Sequence, residues 1–208
     1  VDFPQRHPEY PVSPALTGTA VTQDILNLRN HLLIAMPNMG DPNFDHTVSL
    51  ICQHDEFGAF GVTVNRPLGM TVGELFEQLD INIDDPHIAG QFALSGGPVQ
   101  AEQGFVLHDG SRNWESTLRV SDELALTSSR DILQDIAHGN GPAHFLLLLG
   151  CAGWSPGQVE HEIKENTWLT CPCTPPILFE MPYQDRWQGA ARTLGIDVNL
   201  LGIAAGHA

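Results

Sequence analysis

The sequence predicts an α+β fold on a mixed sheet, and three observations carry that expectation. Strand-like segments fill the first half of the chain and helical segments interleave only later, an order that disfavours a doubly wound parallel fold. "TVSLICQH" and "AFGVTVNRP" flank "DEFG" as a hairpin signature. The 208 residues are 42% hydrophobic with no repeated period, which suits one domain with a sizeable core. Residues 1–24, with Pro4, Pro8, Pro11 and Pro14, are expected to be an extended tail, and residues 25–208 a single domain. Residues 1–20 are expected to contribute nothing to the fold.

Element by element, "HLLIAM" predicts a short buried strand, followed by a turn-rich connection, "MPNMGDPNF", punctuated by Pro37, Gly40 and Pro42. "TVGELFEQLDI" places Val72, Leu75, Phe76 and Leu79 on one helical face, with Thr71 as cap and Glu74 completing a capping box. "FALSGGPV" and "GFVLHD" predict strands joined around a Gly-Gly-Pro turn, and "STLRVS" a further strand. "SSRDILQDIAHGNGP" predicts a helix capped by Ser128 and stopped by Gly139, its core face formed by Ile132, Leu133 and Ile136. "AHFLLLLG" is expected to be the most buried strand. A helix to about Asn166, short extended pieces at "WLTCP" and "PILFE", and a last helix around "DRWQGAARTLG" complete the order.

Composition narrows the function. No apolar run approaches the roughly 18 to 20 residues of a membrane-spanning helix, and the N-terminal stretch lacks the apolar core of a secretion signal, so a soluble cytoplasmic protein with no membrane partner is expected. Nine basic residues face 25 acidic ones, and a net charge of −16 opposes approach to nucleic acid. Arg66, Arg112, Arg119, Arg130, Arg186 and Arg192 are scattered along the chain, so neither a nucleic-acid partner nor direct DNA-binding regulation is expected. Four cysteines are too few for a disulfide scaffold and are expected to be thiols.

Three groups could carry chemistry. In "LLLLGCAGWSPGQ", Ser155, Pro156 and Gln158 predict a helix starting just after Trp154, which would put Cys151 near its N-terminus, where a thiolate is favoured. Against a nucleophile, Leu149 stands where a nucleophile elbow needs glycine, and a cysteine after four leucines is more often a small buried hydrophobe. Ser95 before Gly96-Gly97-Pro98 could sit beside free backbone N–H groups, but no His or acidic partner is assignable and a tight turn explains the pattern. Cys171-Pro172-Cys173 with Cys52 and His54 has the residue types of a zinc site but too tight a spacing, so neither metal nor cofactor is expected. His161 and Glu165 fit a solvated helix face, and His138 a helix end.

Together "HLLIAMPNMGDPNF", "ICQHDEFGAFGVTVNRP", "SGGPV", "GFVLHD", "TSSRDIL", "GCAGWSPGQVEHEI", "WLTCP", "DRW" and "AGHA" resemble the AlgH/YqgE family of small bacterial proteins, in order from about Leu28 to Ala208. The resemblance implies a small mixed barrel surrounded by helices, so the expected architecture is a mixed, largely antiparallel sheet with a small barrel-like core. It brings a regulator label but no catalytic residues. Asp45-His46 departs from the basic residues relatives often carry after "DPxF", and Cys171 and Cys173 depart from "WLTAxAD". The expected function is that of a non-catalytic binding or regulatory protein with an unidentified protein or small-molecule partner. The alternatives are a thiol-dependent enzyme or hydrolase using Cys151, and a DNA-binding regulator. The expected contact surface comprises Asp41, Pro42 and Phe44, then Ser95, Gly96, Gly97 and Pro98, then Cys151, Gly153, Trp154, Ser155, Gly157 and Gln158, because glycines and prolines gather in those loops.

Overall fold

The computed structural model describes residues 1–2, 27–37 and 39–198. Among them ten strands run β1 (His31–Ala35), β2 (Val48–Asp55), β3 (Gly58–Thr63), β4 (Pro67–Thr71), β5 (Phe92–Ser95), β6 (Val99–His108), β7 (Thr117–Arg119), β8 (Ala125–Thr127), β9 (Phe145–Trp154) and β10 (Trp168–Pro172). The helices are α1 (Val72–Gln78), α2 (Pro86–Ala89), α3 (Asp131–Ala137), α4 (Gln158–Lys164), α5 (Pro175–Phe179) and α6 (Arg186–Thr193). The strands form one curled sheet in the order β10-β1-β2-β3-β9-β6-β8-β7, with β4 and β5 branching from β9. Every pairing is antiparallel except β5 with β9. The result is an α+β half-barrel: β10 and β7 are not paired to each other, and Arg29 reaches across to the carbonyls of Arg119 and Val120.

Local chemistry explains much of this. Thr71 and Glu74 form the expected capping box, and α1 buries Val72, Leu75 and Phe76. The hairpin pairs Ser49 with Thr63 and Asp55 with Gly58. Gly139, at φ +72°, ends the α3 segment as a left-handed residue.

β9 organises the core because its side-chain phase inverts at Gly150, which has φ +78°. Before it, Leu148 enters the inner core while Leu147 and Leu149 face α1 and α3; after it, Cys151 enters the inner core while Ala152 and Trp154 face α4. One strand thereby lines three apolar clusters. The inner cluster is filled from α5 and α6 by Ile177, Leu178, Trp187, Ala190 and Ala191.

Several expectations change. Gly96-Gly97-Pro98 is no hairpin turn: Leu149 pairs with Ser95 of β5 on one edge and with Gly104 of β6 on the other, so the link crosses β9. Ser128 does not cap α3; its first position is preceded by Arg130, and Ser129 Oγ instead donates to Asp131 at 2.5 Å. "PILFE" is helical, because Pro175 and Pro176 sit where a helix tolerates a missing N–H. The helix expected just after Trp154 begins at Gln158, with Gly157 at its cap. The segment expected to be a tail falls outside the described residues from 3 to 26, but Asp2 donates to the Glu102 carbonyl at 2.7 Å and accepts from Gly104 N–H at 2.8 Å. The terminal "AGHA" also lies outside them.

Candidate functional site

The three loops named from sequence are held by dense local bonding. Asp41 Oδ1 accepts from Asn43 N–H at 2.8 Å, and its carbonyl accepts from the N–H groups of Phe44 and Asp45. Arg66 clamps the same loop, donating to the carbonyls of Pro42, Asn43 and Asp45, while its own carbonyl accepts from Ser95 N–H. Ser95 is therefore tethered to the Asp41 loop by a single arginine. The Asp45-His46 departure is ordered too: His46 pairs with Asp45 at 2.6 Å and its ring lies 4.3 Å from that of Trp187.

Phe44 packs on Trp154 and Trp168 at centroid distances of 6.1 and 5.5 Å. Glu162 Oε2 accepts from both indole N–H groups, at 3.1 and 2.8 Å, and Oε1 accepts from Gln158. A charged acceptor between two indoles satisfies two donors that burial would otherwise leave unpaired. The loop of Asp41, Pro42 and Phe44 thus meets Trp154, and Gly96-Gly97 lies against Gly150-Cys151. Ser155 and Gln158 bond to each other, and among the described residues neither is hydrogen-bonded to the other two loops. Phe44, Gly96, Cys151 and Trp154 are taken up by packing; Asp41, Pro42, Pro98, Gly153, Ser155, Gly157 and Gln158 are exposed.

Cys151 lies within β9 and not at a helix start, because the strand continues to Trp154. It is 4% exposed, its Sγ faces the Val99 carbonyl at 3.6 Å, and burial pushes its thiol up to about 11. At neutral pH it is a protonated thiol, which disfavours a nucleophile. Cys52 and Cys173 share its cluster; burial raises Cys173 to about 12, and Cys52 is raised by burial with Cys173 and Cys151 nearby. We expect native iodoacetamide labelling of all four thiols to be far slower than in denaturant, by quenched mass spectrometry. Rapid native labelling of Cys151 would contradict this burial.

Two histidines gained partners that alternation alone did not reveal. A register shift between Ile51 and Gln53 leaves Cys52 in the inner core and lets His54 reach α4. His54 Nδ1 accepts from Leu28 N–H at 3.1 Å, so Nε2 carries the proton and donates to Glu160 Oε1 at 3.0 Å. His108 is fully buried; its Nδ1 accepts from Gly110 N–H and its Nε2 donates to Thr127 Oγ1 at 2.9 Å.

Sequence reasoning also missed a cleft of about 590 Å³ where three separate segments converge. Its walls carry Ile88 and Phe92, His144 and Phe145, and Phe179 with Tyr183, and Arg186 lies among them. Phe92 is 47% exposed and meets Tyr183 edge to face, and His144 stacks on Phe179 at 5.8 Å. The volume is that of a small-molecule pocket.

This geometry sits on a recognisable chain. Residues 32–199 match the family model described as AlgH-like. The chain belongs to the AlgH-like family. It is 52% identical to a UPF0301 protein of Xanthomonas oryzae pv. oryzae over 181 residues, covering 87% of this chain and 96% of that one. A UPF0301 protein of Saccharophagus degradans is 49% identical over 185 residues, 89% of this chain and 91% of that one. The solution structure of the AlgH protein from Pseudomonas aeruginosa is 44% identical, with a TM-score of 0.72 over 91% of this chain and 100% of that one. A crystal structure from Corynebacterium diphtheriae, 21% identical with a TM-score of 0.67, shares the fold. Among the described residues of this family member, no helix is long and apolar enough to cross a membrane.

Proposed function

We propose that the protein is a non-catalytic cytoplasmic binding or regulatory protein whose small-molecule ligand enters the cleft between α2, β5, the segment 142–146 and the segment 179–186. The observation that supports this reading is the cleft itself: a concave, aromatic-walled space of about 590 Å³ on a rigid sheet. The buried, protonated thiol of Cys151 gives the enzyme reading little to act with. The exposed members of the three loops are left for contact with a protein partner.

A nucleic-acid ligand fits poorly. Arg29, Arg66, Arg119 and Arg130 donate to backbone carbonyls of their own chain, and Arg112 pairs with Asp135, so these guanidinium groups hold the fold together. With a net charge of −16, little basic surface is left for phosphates.

The test is equilibrium capture of small molecules from a bacterial extract, read by mass spectrometry. Wild-type protein is expected to retain a compound that an Ala143→Trp variant, filling the cleft, does not. Equal retention by both, or none by either, contradicts the reading. In a parallel titration with genomic fragments at about 150 mM salt, no saturable shift is expected; submicromolar, salt-sensitive binding would restore the DNA-binding alternative.

A further inference from the structure

Arg186 lines the cleft while only 5% exposed. A guanidinium has five N–H donors in a planar fork. Arg186 Nε donates to the Met181 carbonyl at 3.1 Å and Nη1 to the Val64 carbonyl, and the remaining donors have no acceptor among the described residues. No carboxylate among those residues pairs with it either. Two carbonyl dipoles orient the group without neutralising it. A buried charge without a counter-charge is costly, and burial lowers the Arg186 pKa to about 10. The other titratable groups lining the cleft, His87, His144, Glu180 and Tyr183, do not cancel that charge: Glu180, the sole carboxylate among them, is exposed and unpaired with it.

The surroundings of this charge are flat and apolar. Phe92 and Tyr183 meet edge to face at 6.2 Å, and the His144–Phe179 stack closes another side. Such walls receive a planar ring, and the free end of a guanidinium fork receives a carboxylate through parallel N–H bonds.

We propose that the cleft binds a small aromatic carboxylate, its ring between the Phe92–Tyr183 and His144–Phe179 walls and its carboxylate on the free N–H groups of Arg186. This rests on the cleft being the ligand site. The whole-protein charge of −16 opposes an anion at long range, but screening over about 8 Å at physiological salt leaves the local desolvated guanidinium dominant.

The experiment is an NMR titration of the full chain at about 150 mM salt, following backbone amides and the arginine Nε–H groups, with sodium benzoate, benzamide and sodium phosphate as probes. Benzoate is expected to shift Arg186 Nε–H and amides around Phe92, His144 and Tyr183, at least tenfold more tightly than benzamide. Arg186→Gln is expected to lose at least tenfold in benzoate affinity. Because that variant also loses fold contacts, Tyr183→Ala serves as a second, and the benzoate-to-benzamide ratio in wild type needs no variant. Equal binding of benzoate and benzamide overturns the carboxylate assignment while leaving the cleft as a ligand site. Phosphate binding as tightly as benzoate overturns the aromatic class. No shift in the cleft with any probe overturns both the inference and the reading beneath it.

Discussion

Gly97→Ala is expected to destabilise the protein by roughly 4 kcal/mol or more, enough to abolish the folded state of a marginal domain. A Cβ on Gly97 would lie 2.2 Å from the Cys151 carbonyl oxygen, 2.4 Å from its carbon and 2.8 Å from the Ala152 nitrogen. All three are backbone atoms of β9, so no side chain can swing aside. The residue also has φ +147°, a conformation that alanine reaches only with strain. Neighbouring Gly96 is equally confined: a Cβ added there would lie 2.1 Å from the Gly150 oxygen. Gly157→Ala is the control: its φ is +75°, but nothing lies within 4 Å of its added methyl. That variant should cost about 1 kcal/mol, the backbone term alone. Urea unfolding midpoints of the two variants decide the matter, and a Gly97→Ala cost as small as the control's would refute the close crossing.

Acidification from pH 6.5 to 4 is expected to remove about 3 kcal/mol of stability through His108 alone. Burial is the main cause that lowers its pKa from 6.5 to about 4, with Asp109 opposing and Arg119 assisting. The unfolded chain takes up the proton near 6.5 and the folded one only near 4, so stability is full above 6.5 and declines as pH falls through that window. At about 1.4 kcal/mol per unit, the interval corresponds to the stated loss. The neutral ring is held by bonding, since Thr127 accepts from Nε2 and passes its own hydroxyl to Thr117, which donates to the Trp114 carbonyl. A proton on Nδ1 would face the Gly110 N–H and break this arrangement. Carboxylates titrate in the same range, so the readout is the difference between wild type and His108→Gln in unfolding free energy at pH 7 and pH 4. Identical acid losses in the two proteins would contradict the shifted histidine.

Local signals in the sequence were dependable wherever a few neighbouring residues decide the backbone. Thr71 with Glu74, the "DEFG" hairpin and the Gly139 stop are each closed within a handful of positions. The family and the α+β class followed from motifs and element order. Failures came where distant chain segments decide. Ser155-Pro156-Gly157-Gln158 has the composition of a helix cap, yet β9 keeps pairing with β3 as far as Trp154, and the helix waits for Gln158. The Gly-Gly-Pro link resembles a hairpin turn because its composition does not reveal that β9, far along the chain, fits between the strands it joins. His54 was hidden by a bulge, and Arg186 by the convergence of three separate segments on one cleft. Of the loop residues, Phe44 and Trp154 do meet, but as packing under Glu162.

The link from Ser95 to Val99 has a consequence for how the chain reaches its native state. β5 and β6 form the two prongs of a fork joined by only three residues, and β9 occupies the slot between them. β9 comes later in the chain than both prongs and pairs with each of them along one edge, with Gly150 meeting the base of the fork. Ala59 with Trp154, and Leu94 with Leu148, are pairings of long sequence separation, whose loop closure is slow. Until β9 arrives, both prongs offer open strand edges to any other extended chain. Insertion of this one strand is expected to be the slow step of folding, and a chain still lacking it, with both prongs open, to be the most prone to aggregate; a refolding rate unchanged by Leu148→Ala would contradict this.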